Sequence, residues 1–421
     1  MAWKLTFAAA ASLICTAVAA QTVAVESSLR PAARPSTKTM PAGMEVRVRD
    51  PGFARWIARF EPRARAAGIS ADVLRAAFAG IDYDSDVIRR DRTQSEFTKT
   101  IWEYLDSAAS DTRIANGKAA LARHRATLER LEAQYGVPAE VVTAIWGLES
   151  AYGTFRGNSD VIQSLATLAY DGRRGAFFED QLIAALKILQ SGDVAPRDMK
   201  GSWAGAMGHT QFIPTSYLAY AVDGTGDGRR DIWGEDPTDA LASAAAYLAR
   251  HGWTRGQPWG LEVRLPAGFD YTQTGERVEK SAAEWRAMGV TTAEGAALPD
   301  HGPGALRLPA GAQGAAFLTF RNFRVLERYN SADAYVIGVG HLADRIAGGP
   351  PIRAGWPRGD RALTFDERTE LQRRLTAAGF STRGIDGKIG PNTLAAIRAY
   401  QSARGMIPDG YASPALLGRL R

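Results

Sequence analysis

Between Val137 and Gly153 the chain runs Val137-Pro138-Ala139-Glu140-Val141-Val142-Thr143-Ala144-Ile145-Trp146-Gly147-Leu148-Glu149-Ser150-Ala151-Tyr152-Gly153. Pro138 suits a first helical turn, where its missing N–H costs nothing. Val142, Ile145, Trp146, Glu149 and Tyr152 then recur at three- and four-residue steps, so one face of a predicted helix carries them all. Glu149 is the odd member of that face. A carboxylate in an apolar stripe is expensive to bury unless it is paired or protonated. A carboxyl kept neutral near pH 7 is also what a general acid needs. The alternative is a Glu149 at the edge of the stripe, reaching water.

The rest of the chain is read as mainly helical. Phe53, Trp56, Ile57 and Phe60 set a helical spacing, and further helices are predicted over about 70–80, 93–109 and 112–135. Phe177–Leu189 and Asp239–Arg250 add two more, with Asp239 placed near a helix start, where acids are favoured. Leu261–Leu265 and Ala316–Phe320 read as short strands, and helix returns over Tyr335–Ile346. The expected fold class is therefore mainly α (α+β) with a small β-containing segment. A chain of 421 residues exceeds one ordinary core, so two or three folding units are expected. Its 45% hydrophobic and 23% charged residues place it among soluble globular proteins. The net charge of +6 comes from scattered Arg without a basic block, which excludes a nucleic-acid signature and leaves a weak preference for anionic surfaces.

Met1-Ala2-Trp3-Lys4 leads into an apolar stretch that ends Ala17-Val18-Ala19-Ala20, so residues 1–20 read as a signal peptide. The stretch is short for a transmembrane span, and no later run is long enough, so no transmembrane segment is expected in the mature chain. Cys15, the one cysteine, lies inside that signal. Leu13 and Ile14 before it are not the small residues a lipid anchor requires. A mature chain without a thiol excludes disulfides, thiolate zinc sites and cysteine nucleophiles. Residues 21–50, rich in Pro, Ser, Thr and Ala, read as a disordered leader. A main unit over 51–347 is followed by a Gly/Pro linker over 348–360, beginning Gly348-Gly349-Pro350-Pro351. The closing unit, 361–421, holds a self-similarity. Asp386-Gly387 and Asp409-Gly410 are each an Asp-Gly turn feeding a helix with Pro at its start, Pro391 and Pro414.

Two segments carry further chemistry. His124, His209, His251, His301 and His341 form no H-E-x-x-H pair, no nucleophile elbow or P-loop occurs, and each His reads as a surface or satisfied structural residue. Asp223-Gly224-Thr225-Gly226-Asp227-Gly228-Arg229-Arg230-Asp231 matches the first part of a calcium loop. Oxygen ligands fall at positions one, three, five and nine, with Gly228 at the sharp turn. Gly234 stands where the last carboxylate would be, so Asp239 is the natural candidate; a plain Asp/Gly turn is the alternative. In Lys200–Tyr217 the glycines let backbone approach a ligand closely. Gln211 and the hydroxyls there suit sugar or amide groups. Alone, this segment reads equally as a tight interhelical loop.

Taken in order, Gly147-Leu148-Glu149-Ser150-x-Tyr152-Gly153, then Gly205-Ala206-Met207-Gly208-x-x-Gln211-Phe212-Ile213-Pro214-x-Ser216-Tyr217, the calcium-like loop and Arg328–Tyr335 resemble the membrane-bound lytic murein transglycosylase B family. These are glycoside-cleaving enzymes of the bacterial cell wall with a lysozyme-like fold. The resemblance runs from about Phe53 to Ala347. Leu371-Gln372, Gly379-Phe380, the Asp386–Thr393 turn and Ala396-Ile397-x-x-Tyr400-Gln401 resemble a three-helix peptidoglycan-binding module.

The resemblance implies roles by position. Glu149 is the sole catalytic acid/base. Ser202, Gln211, Tyr247, Asn330 and Tyr335 line a sugar cleft. Asp223, Thr225, Asp227, the Arg229 carbonyl and Asp239 hold a structural calcium ion, with no organic cofactor. Gly234 and Glu235 are extra to the family's spacing ahead of Asp239. The implied reaction cleaves the β-1,4 bond between N-acetylmuramic acid and N-acetylglucosamine and leaves 1,6-anhydromuramoyl ends. The implied location is the periplasm, soluble or peripherally wall-associated, with peptidoglycan strands and other cell-wall enzymes as partners. Two alternatives stand beside it. One is a hydrolytic muramidase with a second carboxylate, for which Asp160, Glu179 and Asp180 are near in sequence but read as solvated. The other is a catalytically inactive cell-wall-binding protein.

Overall fold

The computed structural model describes residues 50–92 and 99–421. The expected signal peptide with Cys15, and the leader up to residue 49, lie outside the described residues. The first helix, α1 (Pro51–Ala66), starts on the Asp50 carboxylate, which accepts the N–H groups of Gly52 and Phe53. It is followed by α2 (Ala71–Phe78), α3 (Ser85–Arg92) and α4 (Ile101–Ala108). The helix expected over 93–109 begins later, at Ile101, because Thr100 and Glu103 cap each other's backbone there. Residues 93–98 are outside the described set. The helix expected over 112–135 is two, α5 (Asp111–Arg123) and α6 (Arg125–Tyr135). His124, at φ −106° and ψ 21°, separates them. No Gly or Pro marks that break.

The Glu149 segment forms α7 (Ala139–Ser150), with Pro138 as its N-cap. Every residue from Val141 to Ser150 is buried, so α7 is enclosed all round instead of half-buried along one stripe. It contacts α5, α6, α11 (Thr238–Arg250) and α14 (Asp333–Ile346). The helix stops at Ala151 and Tyr152, which take φ of 47° and 59°. Tyr152 therefore leaves the face it was expected to share. Its ring turns back edge-on to Trp146, over Gly147, where a Cβ would lie 2.6 Å from the ring.

Between these elements stand β1 (Ser159–Asp160), α8 (Val161–Asp171), α9 (Gly175–Ser191), β2 (Lys200–Gly201) and α10 (Pro214–Tyr220). β1 and β2 pair antiparallel, and α8 packs on α9. A second unit follows, made of β3 (Gly260–Arg264), β4 (Glu279–Lys280), α12 (Ala282–Ala287), β5 (Thr291–Thr292), β6 (Gly304–Arg307) and β7 (Ala316–Thr319). The sheet order is β4-β6-β7-β3-β5, antiparallel throughout. Val263, Trp285, Leu306 and Leu318 build its own core. The two strands read from sequence are β3 and β7. Next, α13 (Arg321–Tyr329) leads through Asn330–Ala332 into α14.

The closing unit has three helices, α15 (Phe365–Ala377), α16 (Pro391–Ala403) and α17 (Pro414–Leu420), around a separate core of Leu371, Leu375, Ile397 and Leu416. Its two halves repeat one polar contact. Gln372 accepts the N–H of Gly387 and donates to Asp386, and Gln401 does the same with Gly410 and Asp409. The linker is anchored at several points. Glu262 accepts the N–H groups of Arg353 and Ala354, Trp356 lies against Trp102, and Arg358 pairs with Asp106. Asp409 accepts the Ala312 N–H across the two units. The fold is mainly α with a small sheet, as expected. Among the described residues no helix is long and apolar enough to cross a membrane.

Candidate active site

Glu149 sits in the last turn of α7 and is 1% exposed. The edge position open in the sequence is thus not the one it takes. Its Oε1 accepts the Tyr335 hydroxyl at 2.6 Å, and its Oε2 is buried with no partner among the described residues. Burial pushes the carboxyl up to about 8, with the Tyr335 bond pulling the other way. At neutral pH the group is mostly protonated. Tyr335 stands in the first turn of α14. Tyr329, at the end of α13, donates to the Thr210 carbonyl at 2.6 Å, and burial and the Glu149 charge hold its phenol well above the usual range.

Among the described residues no second acid contributes to the Glu149 shift. Asp160 caps α8 by accepting the Gln163 N–H, and Glu179 pairs with Arg63. All three were expected to be solvated; Asp160 and Glu179 are instead engaged with protein groups, while Asp180 is exposed, as expected, with Arg63 3.5 Å away.

The Lys200–Tyr217 loop is tightly built. The Ser202 Oγ accepts the N–H groups of Ala204 and Ala206 at 3.3 and 3.0 Å, so it shapes the turn. Gln211 takes φ 52°, and its Nε2 donates to the carbonyls of Gly208 and Arg156 at 2.8 and 3.1 Å. Its Oε1 is buried without a partner among the described residues. His209 is the loop's anchor. Trp146 donates to its Nδ1 at 3.1 Å, its Nε2 lies 2.7 Å from the Gly234 carbonyl, and Ser150 donates to its backbone carbonyl at 2.6 Å. The tautomer assigned from these partners carries the proton on Nε2. Arg156 adds bonds to Gly234 and Glu235.

Tyr247 packs its ring against Tyr329, and Asn330 follows Tyr329 as the C-cap of α13. The Tyr247 hydroxyl donates to the Arg328 carbonyl at 2.5 Å, and its ring meets Phe212, Tyr220 and Tyr329. The Asn330 side-chain Oδ1 accepts the Ala332 N–H at 3.0 Å. The structure therefore places Tyr335 on Glu149, and sets Gln211, Tyr247 and Asn330 around the Phe212–Tyr329 pair. Ser202 serves its own loop. His209 was read as a surface or satisfied structural residue and is satisfied, Tyr329 was marked only as part of the Arg328–Tyr335 segment, and Arg156 was not singled out. Their partners lie too far along the chain for spacing to reveal them.

In the acidic loop, Asp223, Asp227 and Asp239 each bring a carboxylate oxygen within 4.8 Å of the others. Asp239 is 2% exposed and accepts the N–H groups of Gly224, Thr225 and Asp231. Its burial lifts the carboxyl above the usual range, with those bonds pulling it back. The Thr225 hydroxyl donates to Asp223 at 3.1 Å, and the Arg229 N–H donates to Asp227. Asp231, expected as the position-nine ligand, instead caps the N–H groups of Trp233 and Gly234. Asp239 lies in the cluster with Gly234 and Glu235 ahead of it in the chain; Asp231 caps the Gly234 N–H, and Arg156 bonds the Gly234 carbonyl and the Glu235 carboxylate. Three carboxylates around a hydroxyl are hard oxygen donors and suit a divalent cation such as calcium.

Comparison with known proteins gives the following matches. Residues 52–344 match the family described as transglycosylase SLT domain, and residues 365–420 match a peptidoglycan binding domain family. Membrane-bound lytic murein transglycosylase B of Escherichia coli (strain K12) is 33% identical over 251 residues, covering 58% of this chain. The match spans 66% of that relative's length, just under two thirds. SltB3 from Pseudomonas aeruginosa, solved in complex with NAG-anhNAM-pentapeptide, is 51% identical with a TM-score of 0.86. That match covers 88% of this chain and 100% of SltB3. The Escherichia coli lytic transglycosylase Slt35, solved in complex with calcium, is 28% identical with a TM-score of 0.59. Here the match covers 70% of this chain and 93% of Slt35.

Proposed function

The chain belongs to the transglycosylase SLT family and ends in a peptidoglycan-binding domain, and from that membership we propose that it is a lytic transglycosylase working through Glu149. The bond cleaved is the β-1,4 link between N-acetylmuramic acid and N-acetylglucosamine. One observation carries the reading: a buried carboxyl, pushed up to about 8 by that burial, has one oxygen on Tyr335 and the other without a partner among the described residues. The proton on Oε2 goes to the departing glycosidic oxygen. The muramoyl acetamido oxygen stabilises C1 as the bond breaks. Glu149, now ionised and steadied by the Tyr335 hydroxyl, takes the proton of the C6 hydroxyl as that oxygen closes onto C1. The product is a 1,6-anhydromuramoyl end, and no water is consumed.

A retaining hydrolase would place a second carboxylate about 5–5.5 Å from the first. The engagement of Asp160 and Glu179 elsewhere favours the single-acid route. The anhydro sugar bound by SltB3 supports the same product here. Gln211, Tyr247 and Asn330 supply polar and aromatic groups for the sugar cleft, with Ser202 shaping its loop. Asp223, Thr225, Asp227, Arg229 and Asp239 would hold calcium, which when bound supplies a structural tie between the loop and α11. The site of action is the periplasm, reached by the signal over residues 1–20, with other cell-wall enzymes as partners. Mass spectrometry of digested sacculi tests the reaction. Anhydromuramoyl ends are expected, and reducing ends in their place would mean hydrolysis.

A further inference from the structure

Tyr335, whose hydroxyl meets Glu149, stands just past the α13–α14 corner, and that corner is held by one side chain. Arg307, the last residue of β6, is 11% exposed at its side chain. Its Nη1 donates to both oxygens of Asp333, at 2.9 and 3.0 Å, and its Nη2 donates to Glu327 at 2.9 Å. Glu276 stands 3.8 Å off, and the guanidinium lies over the Phe323 ring at 4.3 Å. Asp333 opens α14, two residues before Tyr335, and Glu327 lies two residues before Tyr329. The two carboxylates thus flank the Asn330–Ala332 turn on both sides. A planar guanidinium can hold two carboxylates in a fixed relation, which a flexible ammonium cannot.

We propose that Arg307, which touches neither Glu149 nor Tyr335, is a positioning residue: by clamping Glu327 to Asp333 it fixes the α13–α14 turn and keeps the Tyr335 hydroxyl on Glu149. The clamp belongs to the sheet unit, while the acid belongs to the helical unit. The sheet therefore takes part in the chemistry through this corner. A 2.6 Å bond between phenol and carboxyl leaves little room for drift, and displacement of about 1 Å from working geometry costs about 100-fold in rate.

The inference rests on Glu149 being the acid, and the experiment separates the two. Digestion of purified sacculi by the full chain is followed from about pH 5 to about pH 9; burial raises Glu327 to about 7 against the pull of Arg307, so the alkaline limb above that value is the one that reports loss of the protonated Glu149. The variants are Arg307→Met, Arg307→Lys, Asp333→Asn, Tyr335→Phe and Glu149→Gln. Tyr335→Phe removes a bond that favours ionised Glu149, so its alkaline limb moves to higher pH. Arg307→Met and Asp333→Asn are expected to move the limb the same way. They should also lower kcat by about 10-fold or more with KM within about twofold. Arg307→Lys, with charge but no fork, should fall between Arg307→Met and the parent.

A folded Arg307→Met with an unmoved limb and kcat within about twofold of the parent overturns the proposal. So does a Tyr335→Phe profile that matches the parent. If Arg307→Met does not fold, Asp333→Asn decides by the same two readings. A fully active Glu149→Gln would instead refute the functional reading itself.

Discussion

The carboxyl of Glu149 is kept neutral by burial, and that has a thermodynamic sign. The group is raised from an ordinary 4.5 to about 8. Well below pH 4.5 it is protonated whether the chain is folded or not, and the cost linked to its ionisation vanishes. Between 4.5 and 8 only the unfolded chain ionises it, so stability is lost progressively as pH rises through that window. At pH 7 the cost is on the order of 3 kcal/mol. Glu149→Gln, neutral at every pH, is therefore expected to melt higher than the parent, with a gap that is small near pH 4 and widens toward pH 8. The same variant should lose about 100- to 10,000-fold in sacculus digestion. Thermal melts at several pH values check the first expectation, and a gap that does not change with pH would remove burial as the cause. Sequence spacing made this acid visible, because Val142, Ile145 and Trp146 set a face on which a carboxylate is out of place. It could not show Tyr335, whose hydroxyl arrives from 186 residues away. Nor could it show that Tyr152 leaves the helix, since Ala151 and Tyr152 adopt left-handed backbone without a glycine to announce it.

Helices were legible where apolar spacing is sustained, as at α9, α11 and α14, although none of the three starts on a side-chain cap. They were misjudged where a boundary has no punctuation. The break at His124 interrupts an Arg-, Ala- and Leu-rich run that has no reason in its composition to stop. β4 and β5 are two residues long, too short for an alternating pattern, and exist because β6 and β3 give them partners. The acidic loop is the converse case. Asp223 and Asp227 were marked by their spacing, and the fold brings Asp239 to them from the start of α11. The loop misled only at Asp231, whose side chain is used as a cap. Calcium is expected to raise the melting temperature, since an ion at 100 times its Kd adds about 2.7 kcal/mol to the folded state. Asp227→Ala should abolish the rise. An equal response in that variant would place the ion elsewhere.

Among the described residues there are three separate cores, in the helical unit, the sheet and the closing module, and the linker that leads to the last is bonded at Arg353, Ala354 and Arg358. Its Gly and Pro content suggested a spacer and did not reveal Glu262, which takes two of its N–H groups. Glu262→Ala is expected to speed amide exchange at Arg353 and Ala354 in hydrogen-exchange mass spectrometry, with the α7 amides unchanged. Unchanged protection at the linker would mean that Trp356 and Arg358 suffice to hold it. The distance in sequence between Glu149 and Tyr335 has one more consequence, for the order in which the molecule is made. A ribosome releases the Glu149 helix first, then the Gln211 loop, then the whole sheet, and Tyr335 last. Until α14 closes onto α7, the nascent protein holds an acid with no hydroxyl opposite it. Any fragment cut short before residue 335 stays in that state, so the Glu149–Tyr335 pair forms only in a chain whose synthesis has passed the sheet.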